Sequence, residues 1–567
     1  MTAFATLWRS FFAQFFSSET VTSDMRLRQG VIWVMAFLVA PGLSIAFRFG
    51  NHYQFALHFA PERADGLLLM MMILFVSYSA VAIGLIAVFV WDALSFERRD
   101  AMVLGVLPIA GSTVVMAKLA ALAALLGAAH AAVNTPTALL FAFAVSGNIP
   151  GLAIVRQFLA HMLVTGMAGL SIFAALTTAR GVLGLLSARL AAAAAAPFQF
   201  AFVAAMLCVM VLAVGSAQTL AVPADQVGWI PSFWYVGLFE ALVGSPRPVY
   251  VSLSGRAVWT TVALAASALT VTLAAFPLQF QRALAPEANP AGAGGSARLL
   301  RGVAWLGGAR RPLARAVSDF VLVTLARNRS AQTIAAINAA IAAPIIAVGL
   351  WRAGSIDVMA VPRLAVLWIP MAVVYWLAVG LRASFYVPSE LPASWAFAVN
   401  APADSSQYRT GVRASLLAAL LPAGLLSTAA LVPLVGWRIA ALHGVLVLML
   451  TATLAEIVLI TIGHIPFTRA YPPGHARLRT RWWIYPVGFL AFAFLPVRGE
   501  LMVLQGRILW SDLYGWIAVP ALIVAAISIR RSRVSIAEIP EDLDTDESSV
   551  VRLGLDATTQ ISPARSS

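Results

Sequence analysis

The stretch GLLLMMMILFVSYSAVAIGLIAVFVW, residues 66–91, contains no charged side chain. The hydrocarbon layer of a membrane is about 30 Å thick and a helix rises about 1.5 Å per residue, so about 20 apolar residues cross it. Similar apolar runs recur along the chain, and we interpret them as about twelve transmembrane helices. The predicted spans are residues 30–47, 66–91, 114–145, 155–179, 190–214, 257–278, 331–351, 363–382, 413–436, 439–463, 482–496 and 513–529.

The composition favours a membrane protein over a soluble one. Of the 567 residues, 61% are apolar and 11% are charged, whereas about 25% of the residues of a soluble domain are charged. A soluble fold of this length cannot hide so much apolar surface. The sequence therefore predicts an all-α polytopic membrane protein, with the lipid bilayer as its first partner.

The net charge of +14 would suggest a nucleic-acid partner in a soluble protein. Here the arginines lie mostly in short loops between apolar runs, and no basic stripe with interleaved aromatic residues stands outside the spans. We therefore expect no nucleic-acid partner and interpret the charge through the positive-inside rule. With a cytoplasmic N-terminus most basic residues fall in cytoplasmic loops. This predicts a multi-pass protein of the cell's inner (plasma) membrane with both termini in the cytoplasm.

The segment APEANPAGAGGSAR, residues 285–298, divides the predicted spans into two sets of six. Pro, Gly, Ala and Ser dominate this segment, which is typical of a flexible linker. We expect a first six-span half at residues 1–284, a second at residues 299–533 and a disordered acidic cytoplasmic tail at residues 534–567. Because each half has six spans, the halves share one orientation and are predicted to be parallel repeats.

Each predicted half begins with an amphipathic stretch. Trp8 and Phe11 recur at helical spacing in the first half, and Val317 and Val321 do so in the second. Such a helix can lie in the membrane interface with its apolar face in the acyl region, or it can pack on the protein. The sequence favours interfacial helices here and leaves the second arrangement open.

Each half also has an aromatic-rich, partly polar stretch between its fifth and sixth spans. These stretches are residues 229–244 and 498–516. Neither is apolar enough to be an extra span. Both are expected to form short re-entrant or interfacial helices on the outer side, with Trp and Tyr at headgroup level.

The predicted loop between the second and third spans, FERRDAMVLGVLPIAGSTVVMAKL (residues 96–119), has a distinctive order. An acidic residue and two arginines come first, then apolar residues, a Leu-Pro step and a lysine where the third span begins. In this order the loop resembles that of the permease subunit of type-2 ATP-binding-cassette exporters. The plan of spans, with an amphipathic helix before the first and an outer helix before the sixth, is similar to that family too. The loop residues expected to bind a partner are Phe96, Glu97, Arg98, Arg99, Asp100, Met102, Leu107, Pro108 and Lys118.

The resemblance implies a fused pair of permease halves in a bacterial exporter. The loop would form a coupling helix that docks on a separate nucleotide-binding ATPase subunit. That partner would use ATP and Mg²⁺, while this chain would bind no cofactor and would not be an enzyme. The phosphate-binding sequence GxxxxGK[ST] requires a lysine, and the only lysine, Lys118, follows Ala117 rather than glycine. The ATPase would therefore be another polypeptide.

The corresponding loop of the second half departs from the family's pattern. It contains Glu390, Leu391 and Pro392, but no Glu-Arg-Arg cluster precedes them and no lysine opens the ninth span. Arg409 and Arg413 are assigned to this second coupling loop, with Arg413 in the place of the lysine. Unequal loops imply unequal contacts with the ATPase.

Other functions stay open. Glu456 is an intramembrane carboxylate, which suits a proton-coupled secondary transporter or a structural hydrogen bond through Thr451 or Thr453. A membrane-embedded lipid or glycan transferase would need carboxylates such as Asp225 and Glu240, for which an interface-anchoring role is the alternative. A scaffold protein would use the acidic tail as a tether. The sequence contains no HExxH, no serine elbow and no cluster of carboxylates at metal-ligand spacing, so no catalytic or metal-binding residue is predicted.

Overall fold

The computed structural model describes residues 3–14, 24–91, 94, 98–146, 151–218, 228–244, 248–284, 301–305, 308–354, 366–387, 406–462, 465–468 and 484–532. Within these ranges all regular secondary structure is helical, and no strand occurs in them. The predicted all-α class is confirmed for this part of the chain. The expected linker at residues 285–298 and the acidic tail at residues 534–567 lie outside the described residues.

The first half contains long helices joined by short ones. They are α1 (Ala3–Gln14), α2 (Asp24–Phe59), α3 (Pro61–Phe89), α4 (Arg98–Leu104), α5 (Gly111–Ser146), α6 (Leu152–Leu185), α7 (Ala188–Gln218), α8 (Pro231–Val243), α9 (Pro248–Val251) and α10 (Ser254–Leu284).

The second half also contains long and short helices. They are α11 (Pro312–Arg327), α12 (Arg329–Ala340), α13 (Ala342–Gly354), α14 (Trp368–Ser384), α15 (Ser406–Ala429), α16 (Val432–Val435), α17 (Trp437–Thr461), α18 (Ile484–Phe489), a π-helical turn (Leu490–Phe494), α19 (Leu495–Leu504) and α20 (Trp510–Ser532).

In the described part of the chain, ten helical segments are long and apolar enough to cross a membrane. This finding agrees with a multi-pass membrane protein. Each of the twelve predicted spans overlaps a helix, but residues 30–47 in α2 and residues 363–382 in α14 are not among the ten, and α14 has 17 residues. The ten segments are Pro61–Phe89, Gly111–Ser146, Leu152–Leu185, Ala193–Gly215, Ser254–Gln281, Arg329–Leu350, Ser406–Val435, Trp437–Thr461, Ile484–Leu504 and Trp510–Arg530.

Local sequence signals set several helix ends. Pro61 and Pro312 stand at the start of α3 and α11, where the missing N–H costs nothing because it would have no helical partner. Gly244 ends α8 with φ +77°, a left-handed conformation that glycine adopts without strain. Asn328 ends α11, and its side-chain oxygen accepts a 3.0 Å hydrogen bond from the Ala331 N–H of α12. This cap fixes the corner between the amphipathic helix and the following span.

Helix α3 lies at the centre of the first half and packs against α2, α5, α6 and α7. Its Phe75 side chain is fully buried and meets Phe141 of α5 edge-on, with ring centroids 5.8 Å apart. Helices α6 and α10 approach very closely, since a Cβ on Gly181 would lie 2.4 Å from Val271 Cγ1. A side chain at this glycine would force the two helices apart.

In the second half, α14 is the central helix and packs against α12, α13, α15 and α17. Tyr375 and Phe385 of this region belong to the buried core. The amphipathic helix α11 lies on α15, where a Cβ on Gly411 would be 2.6 Å from the Ala314 carbonyl oxygen. The absence of a side chain at Gly411 is what permits this contact.

The amphipathic stretches pack on protein with their apolar faces. Leu7 and Phe11 of α1 are buried in a cluster with Val114 of α5. Val317 and Val321 of α11 are fully buried in the core of the second half. Of the two arrangements that the sequence allowed, packing on the protein is therefore the one that these side chains adopt.

The two outer stretches differ from each other. Residues 229–244 contain the separate helix α8, and Tyr235 of that helix is buried in the first-half core rather than placed at a surface. Residues 498–516 do not form a separate helix, so that expectation was wrong. The helical segment Ile484–Leu504 continues to the turn at residues 505–509, and α20 begins directly after it. The helical segment that corresponds to the predicted eleventh span, residues 482–496, therefore ends later than predicted, at Leu504.

The two halves meet where α7 packs against α12 and α13. Ile337 and Ala340 of α12 belong to a buried cluster formed mainly by first-half residues. Thr333 Oγ1 donates a 2.6 Å hydrogen bond to Gln199 Oε1 of α7. This apolar contact and the partly buried Thr333–Gln199 hydrogen bond join the halves within the described residues.

Candidate functional site

The short helix α4 connects α3 to α5 at one end of the first half. It has seven residues and is followed by a tight turn, with hydrogen bonds from the Gly105 N–H to the Ala101 oxygen and from the Leu107 N–H to the Leu104 oxygen. A Cβ on Gly105 would lie 2.7 Å from the Ala101 oxygen. Pro108 follows and lacks an N–H, so the chain cannot continue as one helix into α5.

One side of the α4 region is packed against the end of the bundle. Ala101 is fully buried, and Leu104 and Ile109 pack against the cluster formed by α1 and α5. Helix α4 also packs against the last turns of α10, where a Cβ on Gly105 would lie 3.7 Å from the Phe280 ring. These contacts hold α4 at the end of the spans.

A polar link at Asp100 ties three helices together. The Gln14 amide of α1 donates a 2.9 Å hydrogen bond to Asp100 Oδ1. The Lys118 ammonium of α5 lies 4.0 Å from Asp100 Oδ2, and the two side chains are only 5% and 12% exposed. The same ammonium lies 5.3 Å from the centroid of the Phe11 ring, a distance at which a cation and an aromatic face attract. Motion of α4 is therefore linked to α1 and to the start of α5.

The other side of the α4 region presents apolar side chains to the surroundings. Met102 is 50% exposed and Val106 is 81% exposed, and Val103 and Leu107 are exposed beside them. Pro108 is exposed too. An apolar patch on a charged loop is a typical feature of a protein-binding surface. We call Met102, Val103, Val106 and Leu107 the α4 ridge.

The remaining predicted residues of this loop are placed only in part. The backbone of Arg98 and Arg99 forms the first turn of α4, while Phe96 and Glu97 lie outside the described residues. Lys118 was grouped with the partner-binding residues, but the structure buries it. Its ammonium lies beside Asp100 of α4 and the Phe11 ring of α1, so it links these helices from within.

The predicted second coupling loop is not brought together. Glu390, Leu391 and Pro392 lie outside the described residues. Arg409 and Arg413 lie inside helix α15 instead of in a loop. This corrects their assignment, because helix α15 already begins at residue 406 and both side chains point into the second half.

Both arginines have internal partners. Arg409 is buried, and its Nη1 donates a 3.0 Å hydrogen bond to the Ser528 carbonyl oxygen of α20. Arg413 donates through Nε to Glu456 Oε1 and through Nη2 to Glu456 Oε2, the second bond being 3.1 Å long. Two parallel bonds of this kind make a strong, directional ion pair.

Glu456 therefore has a partner that the sequence did not reveal. One of the two interpretations of Glu456 was a hydrogen bond through Thr451 or Thr453, but these hydroxyls donate to the Val447 and Met449 carbonyls of their own helix. A carboxylate at membrane depth is costly unless it is paired. Arg413 supplies that pairing from the neighbouring helix.

A second polar pair was missed by the sequence analysis. His443 of α17 and Glu500 of α19 are both fully buried, and His443 Nδ1 lies 2.8 Å from Glu500 Oε2. The two residues are 57 positions apart, and the only available signal was that His443 is a polar residue in an apolar run. Among the described residues no three His, Cys, Asp or Glu side chains are grouped so as to hold a metal ion.

The chain was compared with protein-family models, with curated proteins and with solved structures. None of the three comparisons gave a match. The function is therefore inferred from the site alone.

The arrangement at α4 is suited to mechanical coupling. A compact helix carries an apolar ridge outward and is fixed inward by an ion pair, a hydrogen bond and an apolar cluster. A force applied at the ridge would pass to α1, α5 and α10 together, because close-packed side chains transmit displacement. The Arg413–Glu456 ion pair and the His443–Glu500 hydrogen bond each join two helices of the second half and involve no residue of α4.

Proposed function

We propose that the chain is the membrane permease of an ATP-driven exporter and that a separate ATPase subunit docks on the α4 ridge. The observation that carries this proposal is the combination of four exposed apolar side chains with a partly buried Gln14–Asp100–Lys118 link that ties the same short helix to α1 and α5. An exposed apolar ridge needs a cover in a stable assembly. The link behind it keeps the ridge in one position, so that binding energy is not lost in ordering a loop.

In this proposal the transport pathway is formed by twelve spans in two parallel six-span halves. In each half the leading amphipathic helix packs on the third predicted span, α1 on α5 and α11 on α15. This shared contact supports the parallel arrangement of the halves. The end of the bundle that carries α4 would face the cytoplasm of a bacterial cell, as the arginine distribution predicts. Both termini would then be cytoplasmic, and the membrane would be the inner (plasma) membrane.

The ATPase contact would be unequal between the halves. Arg409 and Arg413 of α15 bind groups of the neighbouring helices α20 and α17, so they are not available to a partner. The ridge of the first half would therefore supply the main contact. ATP and Mg²⁺ would be bound by the partner, and this chain would itself hydrolyse no ATP.

A photo-crosslinking amino acid at Val106 tests the proposal in native membranes. We expect it to capture a protein that contains the sequence GxxxxGK[ST], since this side chain is the most exposed member of the ridge. The matched control is the same amino acid at Leu186, an exposed apolar residue in a different loop. A captured protein without a nucleotide-binding sequence, or equal capture from Leu186, would refute the proposal.

A second experiment uses the purified complex. Met102→Asp combined with Val106→Asp should abolish co-purification of the ATPase, because two charges would be desolvated at the interface. Leu186→Asp should leave the complex intact. Retention of the ATPase by the double variant would contradict docking on the ridge.

The buried His443–Glu500 pair favours one other candidate, a proton-coupled transporter. Ionisable pairs inside a membrane bundle often belong to proton relays. In vesicles without nucleotide, a pH gradient should then drive transport, and Glu500→Gln should abolish it. ATP-dependent transport that is unaffected by the pH gradient would rule out this second candidate.

A further inference from the structure

A cavity of about 250 Å³ lies inside the first half, between α3, α6, α7, α8 and α10. Small side chains leave this space open, among them Ala80, Ala168, Ala175 and Ala205. Elsewhere in the same half large side chains such as Phe75 fill the interior. Close-packed interiors rarely keep such voids, so the space indicates a ligand.

The cavity opens towards the side of the bundle. Helix α7 contributes Phe202 and Met210 to one wall, and α10 contributes Thr260 and Leu264 to the opposite wall. In the described part of the chain α7 and α10 do not pack closely against each other, although each packs on other helices. Ala205 on the α7 wall is exposed. A molecule in the bilayer could therefore enter laterally between these two helices.

The lining favours an uncharged, largely apolar ligand. No charged side chain is among the described residues that line the cavity. Met206 and Met210 form part of one wall, and the unbranched thioether adapts to ligands of different shape. A charged group in this space would lose its hydration without gaining a partner.

Hydroxyls from two hydrogen-bonded groups line the cavity, and the group that contains Ser171 and Tyr235 is complete. In this group Thr261 donates to the Ala257 oxygen, and Ser171 can donate to the Met167 oxygen. The Tyr235 hydroxyl lies within 3.1 Å of the hydroxyl oxygens of both Ser171 and Thr261. Each of the three hydroxyl hydrogens has an acceptor in this network. This group therefore needs no ligand.

The second group is incomplete. Ser77 Oγ and Ser232 Oγ are 2.8 Å apart, and both side chains are more than nine-tenths buried. Neither hydroxyl has another partner among the described residues. Two hydroxyls carry two hydrogens, and their mutual bond uses one. One buried donor remains at the cavity wall.

We propose that this cavity is a binding site for an alkyl chain that carries an uncharged oxygen, such as a long-chain alcohol or the ester end of an acyl chain. The alkyl part lies against Met206 and Met210, and the oxygen accepts the hydrogen bond that the Ser77–Ser232 pair has to offer. The site is distinct from the α4 ridge. Only the further claim that the ligand is the exported cargo rests on the proposed function.

The test uses the full chain in phosphatidylcholine nanodiscs and a long-chain alcohol with a diazirine on its chain. We expect labelling to map to peptides that contain Met206 and Met210. Ala175→Leu, in α6, fills the cavity and should lower labelling at least about tenfold. The control Ala201→Leu, on the exposed face of α7, should leave labelling unchanged. Labelling that is unaffected by Ala175→Leu would overturn the proposal.

A second variant keeps the cavity volume and removes the donor. In Ser77→Ala combined with Ser232→Ala, the preference for the alcohol over an alkane probe of the same length should fall about fivefold, the usual effect of one hydrogen bond. Replacement of both partners by alanine is close to neutral for folding, so a misfolded protein is not expected. An unchanged preference would overturn the role of the hydroxyls.

The source of the ligand is decided by a third probe, phosphatidylcholine with the diazirine on its acyl chain. Labelling of the cavity by this lipid identifies a membrane acyl chain, and labelling by the alcohol alone identifies a free amphiphile; labelling by neither overturns the site. With the ATPase and Mg-ATP present, Ala175→Leu should also reduce export of the alcohol. Binding without any export would leave the site intact and count against the exporter.

Discussion

Asp100 of α4 and Lys118 of α5 form an almost buried ion pair, with 4.0 Å between Oδ2 and Nζ. The pair lies directly behind the exposed α4 ridge. Ion pairs of this kind contribute less to stability than to position, because each charge loses hydration when it is buried. The Asp100–Lys118 pair therefore keeps α4 in one orientation relative to the spans.

We expect Asp100→Ala to destabilise the protein by about 3 kcal/mol, because it removes the carboxylate that compensates the buried Lys118 ammonium. Asp100→Ala combined with Lys118→Met should recover most of this loss, since both charges are then absent. Thermal unfolding in detergent measures the stability. A double variant as unstable as the single one would show that the two side chains do not act as a pair.

The contact between α11 and α15 depends on Gly411. A methyl group there would lie 2.6 Å from the Ala314 carbonyl oxygen, so Gly411→Ala should destabilise the protein by about 1–3 kcal/mol. The matched control is Gly127→Ala in α5, where a Cβ meets nothing within 4 Å. That change should stabilise the helix by up to about 1 kcal/mol. Equal unfolding temperatures for the two variants would contradict the close approach of α11 and α15.

The buried pair of the second half predicts a graded response at Glu500. Glu500→Gln keeps an acceptor for His443 Nδ1 and should cost about 1 kcal/mol. Glu500→Ala removes the acceptor and should cost about 3 kcal/mol, since the imidazole is then left unsatisfied beside a new cavity. Equilibrium unfolding of both variants checks the order. If Glu500→Ala were the milder change, the pairing with His443 would be wrong.

The junction of the halves should persist when the chain is divided. Residues 1–290 and 291–567, expressed as two polypeptides, are expected to co-purify because α12 buries Ile337 and Ala340 in the first-half cluster. Ala340→Trp should prevent this association by overfilling a fully buried position. Leu350→Trp, at an exposed residue of α13, should not. Co-purification that survives Ala340→Trp would place the junction elsewhere.

The helices themselves were largely predictable. Each predicted span overlaps a helix, since a segment inside a membrane must satisfy its own backbone hydrogen bonds and an apolar run of that length has one way to do so. The boundaries shifted where local chemistry was subtle, as in the segment Ile484–Leu504, which passes through a π-helical turn at Leu490–Phe494 and ends later than predicted. The α4 region was recognisable because Pro108 and the charge cluster before it interrupt the apolar pattern.

Side-chain roles were less predictable, because they depend on which faces meet. Lys118 was expected to face a partner and is buried beside Asp100, while Arg413 was assigned to a loop and pairs with Glu456. Glu500 gave no sequence signal that linked it to His443. The cavity by Ser77 and Ser232 left no motif at all, since it arises from five helices that bring small residues together.

The sequence by itself determined that this chain crosses a membrane as a set of helices, because hydrophobicity and segment length act locally along the chain. Only the tertiary structure decided which polar groups pair, which apolar faces stay exposed and where space remains. Those outcomes follow from the angles and distances at which helices pack, and packing couples residues that are far apart in sequence.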